Sequence, residues 1–291
     1  MAGFVRLARH DDMRALQSIW KTVFGDSDDE VELFFTRWFD PGMTVVAVDG
    51  GIPVAMGFVL PVGSLCYDNL SVPCTMIYAV ATLPEHRGNG YGASVVRELI
   101  STGYAKGFGA IILCPSEDSL FEYYSARTEL VDRFYVSDRT YTHVPTSERP
   151  VELVRVSENQ YGFIREKLLS GVPHIVYNDA VLPYQSGLCG LSGGGLFRAD
   201  TANGPACAIV ERYSDRLVSI KELLAPAEYT DDIVSAVASM FTAKEYHVRM
   251  PLRSSDTEPG ARRFGMLAVS RDLLFSGRDE NTAPWFGLAY D

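Results

Sequence analysis

Residues 78–92 read Tyr78-Ala79-Val80-Ala81-Thr82-Leu83-Pro84-Glu85-His86-Arg87-Gly88-Asn89-Gly90-Tyr91-Gly92. The almost wholly apolar run from Cys74 to Thr82 predicts a buried central strand. After the glycines, Val95, Val96, Leu99, Ile100 and Gly103 fall on one face of a helix over 93–106, which Gly107 stops. A strand, a glycine turn and a helix N-terminus form a ready cradle for an anion. Backbone N–H groups point outward there, the helix dipole favours negative charge, and Gly90 and Gly92 permit close approach. Arg87 starts the turn and adds a charge. Taken alone, the glycines also fit a tight turn before a core helix. A dinucleotide fingerprint can be drawn through Gly88, Gly90 and Ala93, but that motif opens a domain and has an acid about 20 residues on. Here a hairpin-rich region precedes the turn, and the next strand ends in Cys114-Pro115-Ser116. No Gly-Lys-Ser/Thr follows, which excludes a phosphate loop of the nucleotide-hydrolase type.

Upstream, a short strand over Phe4 to Ala8 leads to His10-Asp11-Asp12, a helix start. Met13, Leu16, Ile19, Trp20 and Val23 then recur at helical spacing, and a second helix after Asp28 carries Val31, Phe34, Phe35 and Trp38. The acidic run Asp26 to Glu30 reads as that helix's start. Strands over Thr44 to Val48 and Pro53 to Pro61 flank the hairpin turn Asp49-Gly50-Gly51. Downstream come a buried strand over Ala110 to Cys114, a short helix over Ser119 to Tyr124 and a strand pair or one long strand over Phe134 to His143. Thr146 to Pro150 reads as a linker, with a domain boundary near 147. The second half holds a helix around Glu158 to Leu169 and alternating segments over Cys207 to Arg212 and Arg216 to Leu224. A helix over Thr230 to Phe241, a strand over Tyr246 to Pro251 and a strand and loop over Met266 to Phe275 follow. Hairpin, helix and strand thus repeat the centre of the first half without its glycine turn. Gly193-Gly194-Gly195 reads as a flexible hairpin connection.

The chain has 291 residues, 47% hydrophobic and 22% charged, enough for one large or two ordinary domains. A net charge of −11 argues against a phosphate-binding surface for nucleic acid. The same balance suits a cationic substrate. Five unpatterned cysteines point to reduced, mostly buried thiols, and the five histidines show no ligand spacing, so no metal is expected. The N-terminus has no basic segment followed by an apolar core, and no apolar run reaches the ~18 residues of a spanning helix. A cytoplasmic protein without a membrane partner is expected.

With its flanks, residues 78–92 resemble the signature of the GCN5-related N-acetyltransferase (GNAT) superfamily. There an apolar strand and a Pro-Glu-x-Arg segment precede the glycine turn, and a strand, a short helix and a tyrosine follow. Here Ile111-Ile112-Leu113-Cys114-Pro115-Ser116-Glu117 leads to Leu120-Phe121-Glu122-Tyr123-Tyr124. The resemblance covers residues 3–143. The family follows its tyrosine with a Gly-Phe pair, whereas Ser125-Ala126-Arg127-Thr128-Glu129-Leu130 stands here, which leaves the helix register open by one residue. The expected fold class is α+β (mixed α/β): a GNAT fold with a central mixed, splayed sheet flanked by helices in 1–146. A second, GNAT-like α+β domain in 147–291 would shape the acceptor cleft.

The resemblance implies an N-acetyltransferase with acetyl-CoA as cosubstrate and a primary amine of a small molecule or peptide as acceptor, reacting by direct attack in a ternary complex. Val80, Ala81 and Thr82 would pair with the pantetheine arm like an added strand. Arg87, Gly88, Asn89, Gly90, Tyr91, Gly92 and Ala93 would hold the pyrophosphate, and Ser116 and Glu117 would approach the cofactor from the other side. A backbone N–H near Val80 would hold the oxyanion, and Tyr124, or Tyr123 beside it, would be the acid. Ser116-Glu117 and the apolar end Trp285-Phe286-Gly287-Leu288-Ala289-Tyr290-Asp291 are similar to the Eis-like subgroup, in which a terminal carboxylate reaches the substrate amine. By that likeness Asp291 is a second catalytic candidate; docking on the second domain without a catalytic role is the alternative. The subgroup's sterol-carrier-like third domain has no counterpart in the sequence. A non-catalytic acyl-CoA sensor is the rival reading, and homo-oligomerisation stays open.

Overall fold

The computed structural model describes residues 3–67, 70–252, 260–270 and 283–290. The first elements are β1 (Phe4–Leu7), α1 (Met13–Phe24), α2 (Asp28–Trp38), β2 (Thr44–Asp49), β3 (Ile52–Tyr67), β4 (Leu70–Thr82), α3 (Tyr91–Ala105), β5 (Ala110–Leu113), α4 (Asp118–Ser125) and β6 (Val131–Tyr141). Then come β7 (Val154–Arg155), α5 (Glu158–Leu168), β8 (His174–Tyr177), α6 (Val181–Leu191), β9 (Gly195–Thr201), β10 (Gly204–Arg212), β11 (Leu217–Leu224), α7 (Thr230–Met240), β12 (Glu245–Met250) and β13 (Ala261–Val269). The chain divides into two compact units, one running to Arg133 and including the stretch from Phe264, the other spanning Phe134 to Arg263 and including 283–290.

In the first unit, β1 to β4 form an antiparallel meander, β5 joins β4 in parallel, and β13 pairs with β5 in antiparallel. The parallel step requires a crossover, which α3 supplies. Val95, Val96, Leu99 and Ile100 of α3 are buried against Val45, Ala47, Val59, Ile77 and Ile111. Each such side chain contributes about 1.5–3 kcal/mol relative to exposure. Helix α2 starts at a capping box: Ser27 Oγ accepts from Glu30 N at 3.3 Å, and Glu30 Oε2 accepts from Ser27 N at 2.8 Å. The acidic run does begin that helix.

The β3–β4 hairpin is longer than the sequence reading, with pairing that continues from Pro61↔Thr75 to Tyr67↔Leu70. Gly63, at φ 130°, sits at a register shift, and with Pro73 it obscures the alternation that marks a strand.

In the second unit, β10 pairs with β9 and β11 in antiparallel, β12 lies parallel to β11, β6 is antiparallel to β12, and β7 edges β9. Helix α7 makes the β11–β12 crossover. Its Ile233, Val234 and Val237 pack on Phe197, Val210, Val218 and Ile220. Hairpin, helix and parallel strand therefore occur in both units, each with a register shift in the hairpin. The chain passes between units at 133/134 and again at 263/264, whereas the sequence reading places one boundary near 147. Two pairings explain this: β6 is laddered to β12, and β13 to β5. The polar stretch read as a linker is docked, because Ser147 Oγ and the N–H groups of Glu148 and Arg149 all donate to Asp232 Oδ1 at 2.9–3.0 Å. Gly193-Gly194-Gly195 connects α6 to β9 rather than closing a hairpin.

Burial pushes the thiols of Cys74, Cys189 and Cys207 up from an ordinary 9.0, and the phenols of Tyr104, Tyr124, Tyr161, Tyr177 and Tyr290 up from 10.0. The folded protein therefore holds these protons more tightly than the unfolded chain. That contribution is complete below the unfolded values and is lost as pH climbs from there through the folded ones. Tm measured from pH 8 to 11 is expected to fall steadily above about pH 9. A Tm flat across this range contradicts the assignment.

Candidate functional site

The β4–β5 ladder pairs Cys74–Ile77 with Ala110–Leu113 and, among the described residues, goes no further. Beyond Ile77 strand β4 continues its ladder with β3, with Tyr78↔Phe58, Ala81↔Met56 and Thr82↔Ala55. Between these pairs Ala79 and Val80 oppose Gly57, a bulge in which Ala79 adopts φ 49°. A left-handed alanine is uncommon and costs about 1–2 kcal/mol. The bulge bends β4 away from the β5 register. Gly57 makes room for it: a Cβ there would lie 2.6 Å from Leu99 Cδ1 and 3.3 Å from Val80 Cγ2. Neither Gly57 nor the conformation of Ala79 was identified in the sequence.

Leu83 N–H donates to Val54 O at 2.9 Å and ends the strand, and Pro84–His86 form one 3-10 turn. Arg87 Nε donates to Thr82 O at 3.2 Å, and Asn89 Nδ2 to His86 O at 3.1 Å. These bonds fold the loop back before Gly88 and Gly90, at φ 81° and 80°, turn it into α3. Gly90 is the N-cap and offers no capping side chain, so the first-turn N–H groups from Tyr91 onward have no partner within the helix. Gly88, Asn89 and Gly90 are exposed. A Cβ on Gly92 would lie 3.7 Å from Thr82 Oγ1 and 3.8 Å from the Tyr123 hydroxyl. The strand end, the turn and α4 thus converge on the start of α3.

Val80 and Thr82 are half-buried, Ala81 and Ala93 are buried, and Ser116 and Glu117 are exposed in the loop that enters α4. Tyr124 is 7% exposed and belongs to the apolar core, and burial pushes its phenol up to about 12. Tyr123 meets it edge to face at 5.2 Å and turns its hydroxyl toward Gly92. Asp291 lies outside the described residues. The described tail before it is held within the second unit: Trp285 N donates to Pro173 O at 2.7 Å, Trp285 Nε1 to Glu222 Oε2 at 2.7 Å, and Arg249 Nη1 to Gly287 O at 3.0 Å. No cluster of three His, Cys, Asp or Glu side chains suited to a metal occurs among the described residues, and no helix among them is long and apolar enough to cross a membrane.

Residues 4–127 match the family model described as an acetyltransferase (GNAT) domain. No curated protein sequence matches the chain. Among solved structures, a GCN5-related N-acetyltransferase from Anabaena variabilis is similar with a TM-score of 0.67 at 13% identity, covering 92% of this chain and 73% of that one. A probable N-acyltransferase from Enterococcus faecalis gives 0.65 at 13%, with 92% and 73% covered. Eis1 from Mycobacterium abscessus gives 0.59 at 11%, again with 92% and 73% covered. At these identities the likeness is one of fold, and it extends across both units. The glycine turn, the bulged strand before it and the helix after it all lie inside the matched residues, so the candidate site sits within the stretch that matches an acetyltransferase (GNAT) domain.

Proposed function

We propose that the first unit binds acetyl-CoA and that the protein transfers its acetyl group to a primary amine of a small molecule or peptide. The observation that supports this most is the continuity of the β4 segment Val80–Thr82, beyond the end of the β4–β5 ladder, with the uncapped turn at Gly88–Ala93. An extended pantetheine amide chain fits the first as an added strand, and a pyrophosphate fits the second. Val80, Ala81 and Thr82 pair with the arm, Arg87 and the 88–93 amides take the phosphates, and Ser116 and Glu117 border the cofactor.

The neutral amine adds to the thioester carbon, and a backbone N–H beside Val80 receives the oxyanion. The intermediate then collapses, the C–S bond breaks with its electron pair on sulfur, and the amine proton leaves to solvent. Tyr124 assists the departing sulfur. A phenol pushed up to about 12 gives up its proton reluctantly to a thiolate whose conjugate thiol ionises near ~8.5. Tyr124 therefore acts chiefly as a hydrogen-bond donor to the developing charge. Tyr124→Phe is expected to lower kcat about 100-fold with acetyl-CoA affinity retained. Free-thiol release across an amine panel, with calorimetric binding in parallel, reads both. Unchanged kcat in the variant rules out this role for Tyr124.

A further inference from the structure

Gly88, Asn89 and Gly90 form exposed backbone, and glycines at positive φ lose more freedom on ordering than other residues. The turn presents its amides in one arrangement only if its two ends are held from outside. Three side chains from three separate elements meet there. Asp49 closes β2, His86 ends the 3-10 turn before the glycines, and Tyr91 opens α3 after them. His86 Nδ1 lies 3.5 Å from Asp49 Oδ2. The Tyr91 and His86 rings meet at a centroid distance of 6.4 Å. Partial burial, and then the Asp49 carboxylate that it faces, push the Tyr91 phenol above an ordinary 10.0. One carboxylate thus reaches the residues at both ends of the turn.

Asp49 is itself well fixed. It ends a strand whose residues Thr44 to Val48 are all buried, and Gly50 and Gly51, at φ 58° and 91°, make the two-residue hairpin turn behind it. Tyr91 is seated as well: a Cβ on Gly3 would lie 2.7 Å from Tyr91 Cε1, so the glycine leaves the ring its place. The Asp49 carboxylate carries the same sign as the pyrophosphate that the turn would receive, so Coulomb attraction is not what it contributes. Its contribution lies in holding His86 and Tyr91.

Resting on the acetyl-CoA reading above, we infer that Asp49 is a positioning residue for that cofactor, clamping His86 and Tyr91 on either side of Arg87–Gly90 from the β2–β3 hairpin. The clamp presets the amides that meet the pyrophosphate. It acts on the phosphate end alone, because the pantetheine arm is met by Val80–Thr82 of β4. Preorganisation of this kind raises affinity by cutting the ordering cost of binding and leaves the chemical step as it is.

Calorimetric titration of the full chain with CoA and with pantetheine, which lacks the pyrophosphate, tests this. Asp49→Ala is expected to weaken CoA about tenfold and pantetheine about twofold or less, with kcat at saturating acetyl-CoA unchanged. Asp49→Asn keeps an acceptor oxygen and drops the charge, and should hold CoA affinity within about threefold of wild type. Tyr91→Phe/His86→Ala removes the same contacts from the other side and should reproduce the loss. Asp49→Ala added to that pair should cost nothing more, and the pair carries the test alone where Asp49→Ala does not fold. Full CoA affinity in a folded Asp49→Ala overturns the clamp, as does an equal loss for CoA and pantetheine, or an Asp49→Asn as weak as Asp49→Ala. The acetyl-CoA reading survives each of these results. Binding of neither ligand to the wild type overturns both readings together.

Discussion

Glu222→Ala is expected to destabilise the second unit by about 3–5 kcal/mol, the cost of leaving a buried charge without its partner. Glu222 and Arg165 are both fully buried, and Arg165 Nε donates to Glu222 Oε1 at 3.1 Å. The same carboxylate accepts from the Tyr161 hydroxyl at 2.9 Å and from Trp285 Nε1 at 2.7 Å. Burial by itself would lower the Arg165 pKa, and the Glu222 carboxylate beside it leads the interactions that leave it raised. Removing Glu222 strands the guanidinium and frees Trp285, the residue that fastens the C-terminal stretch. Urea unfolding should show the loss, together with a Tm lower by about 10 °C. Adding Arg165→Met should recover part of the stability, since a pair removed whole costs less than a pair broken. A single variant within 1 kcal/mol of wild type, by the same urea titration, would mean that water or Glu166 already compensates Arg165.

Gly92→Leu is expected to cost at least about 100-fold in acetyl-CoA affinity, close to 2.7 kcal/mol. The position is helical and has no positive φ, and a Cβ there meets Thr82 Oγ1 and the Tyr123 hydroxyl only at ordinary contact distances. The fold accommodates the substitution, while the longer side chain fills the approach to the first-turn amides. Gly92→Ala, which adds the Cβ alone, should lose roughly tenfold or less. Circular dichroism and Tm confirm the fold, and calorimetry reads the affinity. Full affinity in folded Gly92→Leu would place the phosphates elsewhere.

The glycine turn was legible because its signals are local: an apolar strand, left-handed glycines and an amphipathic helix occupy consecutive residues. The bulge was not, since an alanine at φ 49° leaves no mark in the sequence, and its enabling Gly57 sits on the neighbouring strand. The facing of Tyr123 and Tyr124 was open for a related reason. Adjacent tyrosines on a short helix point in different directions, and only packing decides that Tyr124 enters the core. Helix α6 escaped notice because Pro183, Gly187 and Gly190 interrupt its sequence. Burial of Val181, Leu182, Tyr184 and Cys189 holds it in place of intrinsic propensity. The apolar tail was read as docked, and its described part is docked. Its polar anchor was invisible, because Tyr161 and Arg165 on α5, Glu222 and Trp285 come from three stretches far apart along the chain.

The most direct measurement is single-turnover mass spectrometry of acetyl-CoA consumption across a panel of primary amines, with wild type and Gly92→Leu run side by side. The account predicts an N-acetylated amine and one free CoA thiol per turnover for the wild type, and little of either for the variant. Tight CoA binding without acetyl transfer to any amine would contradict it and establish a sensor in place of an enzyme.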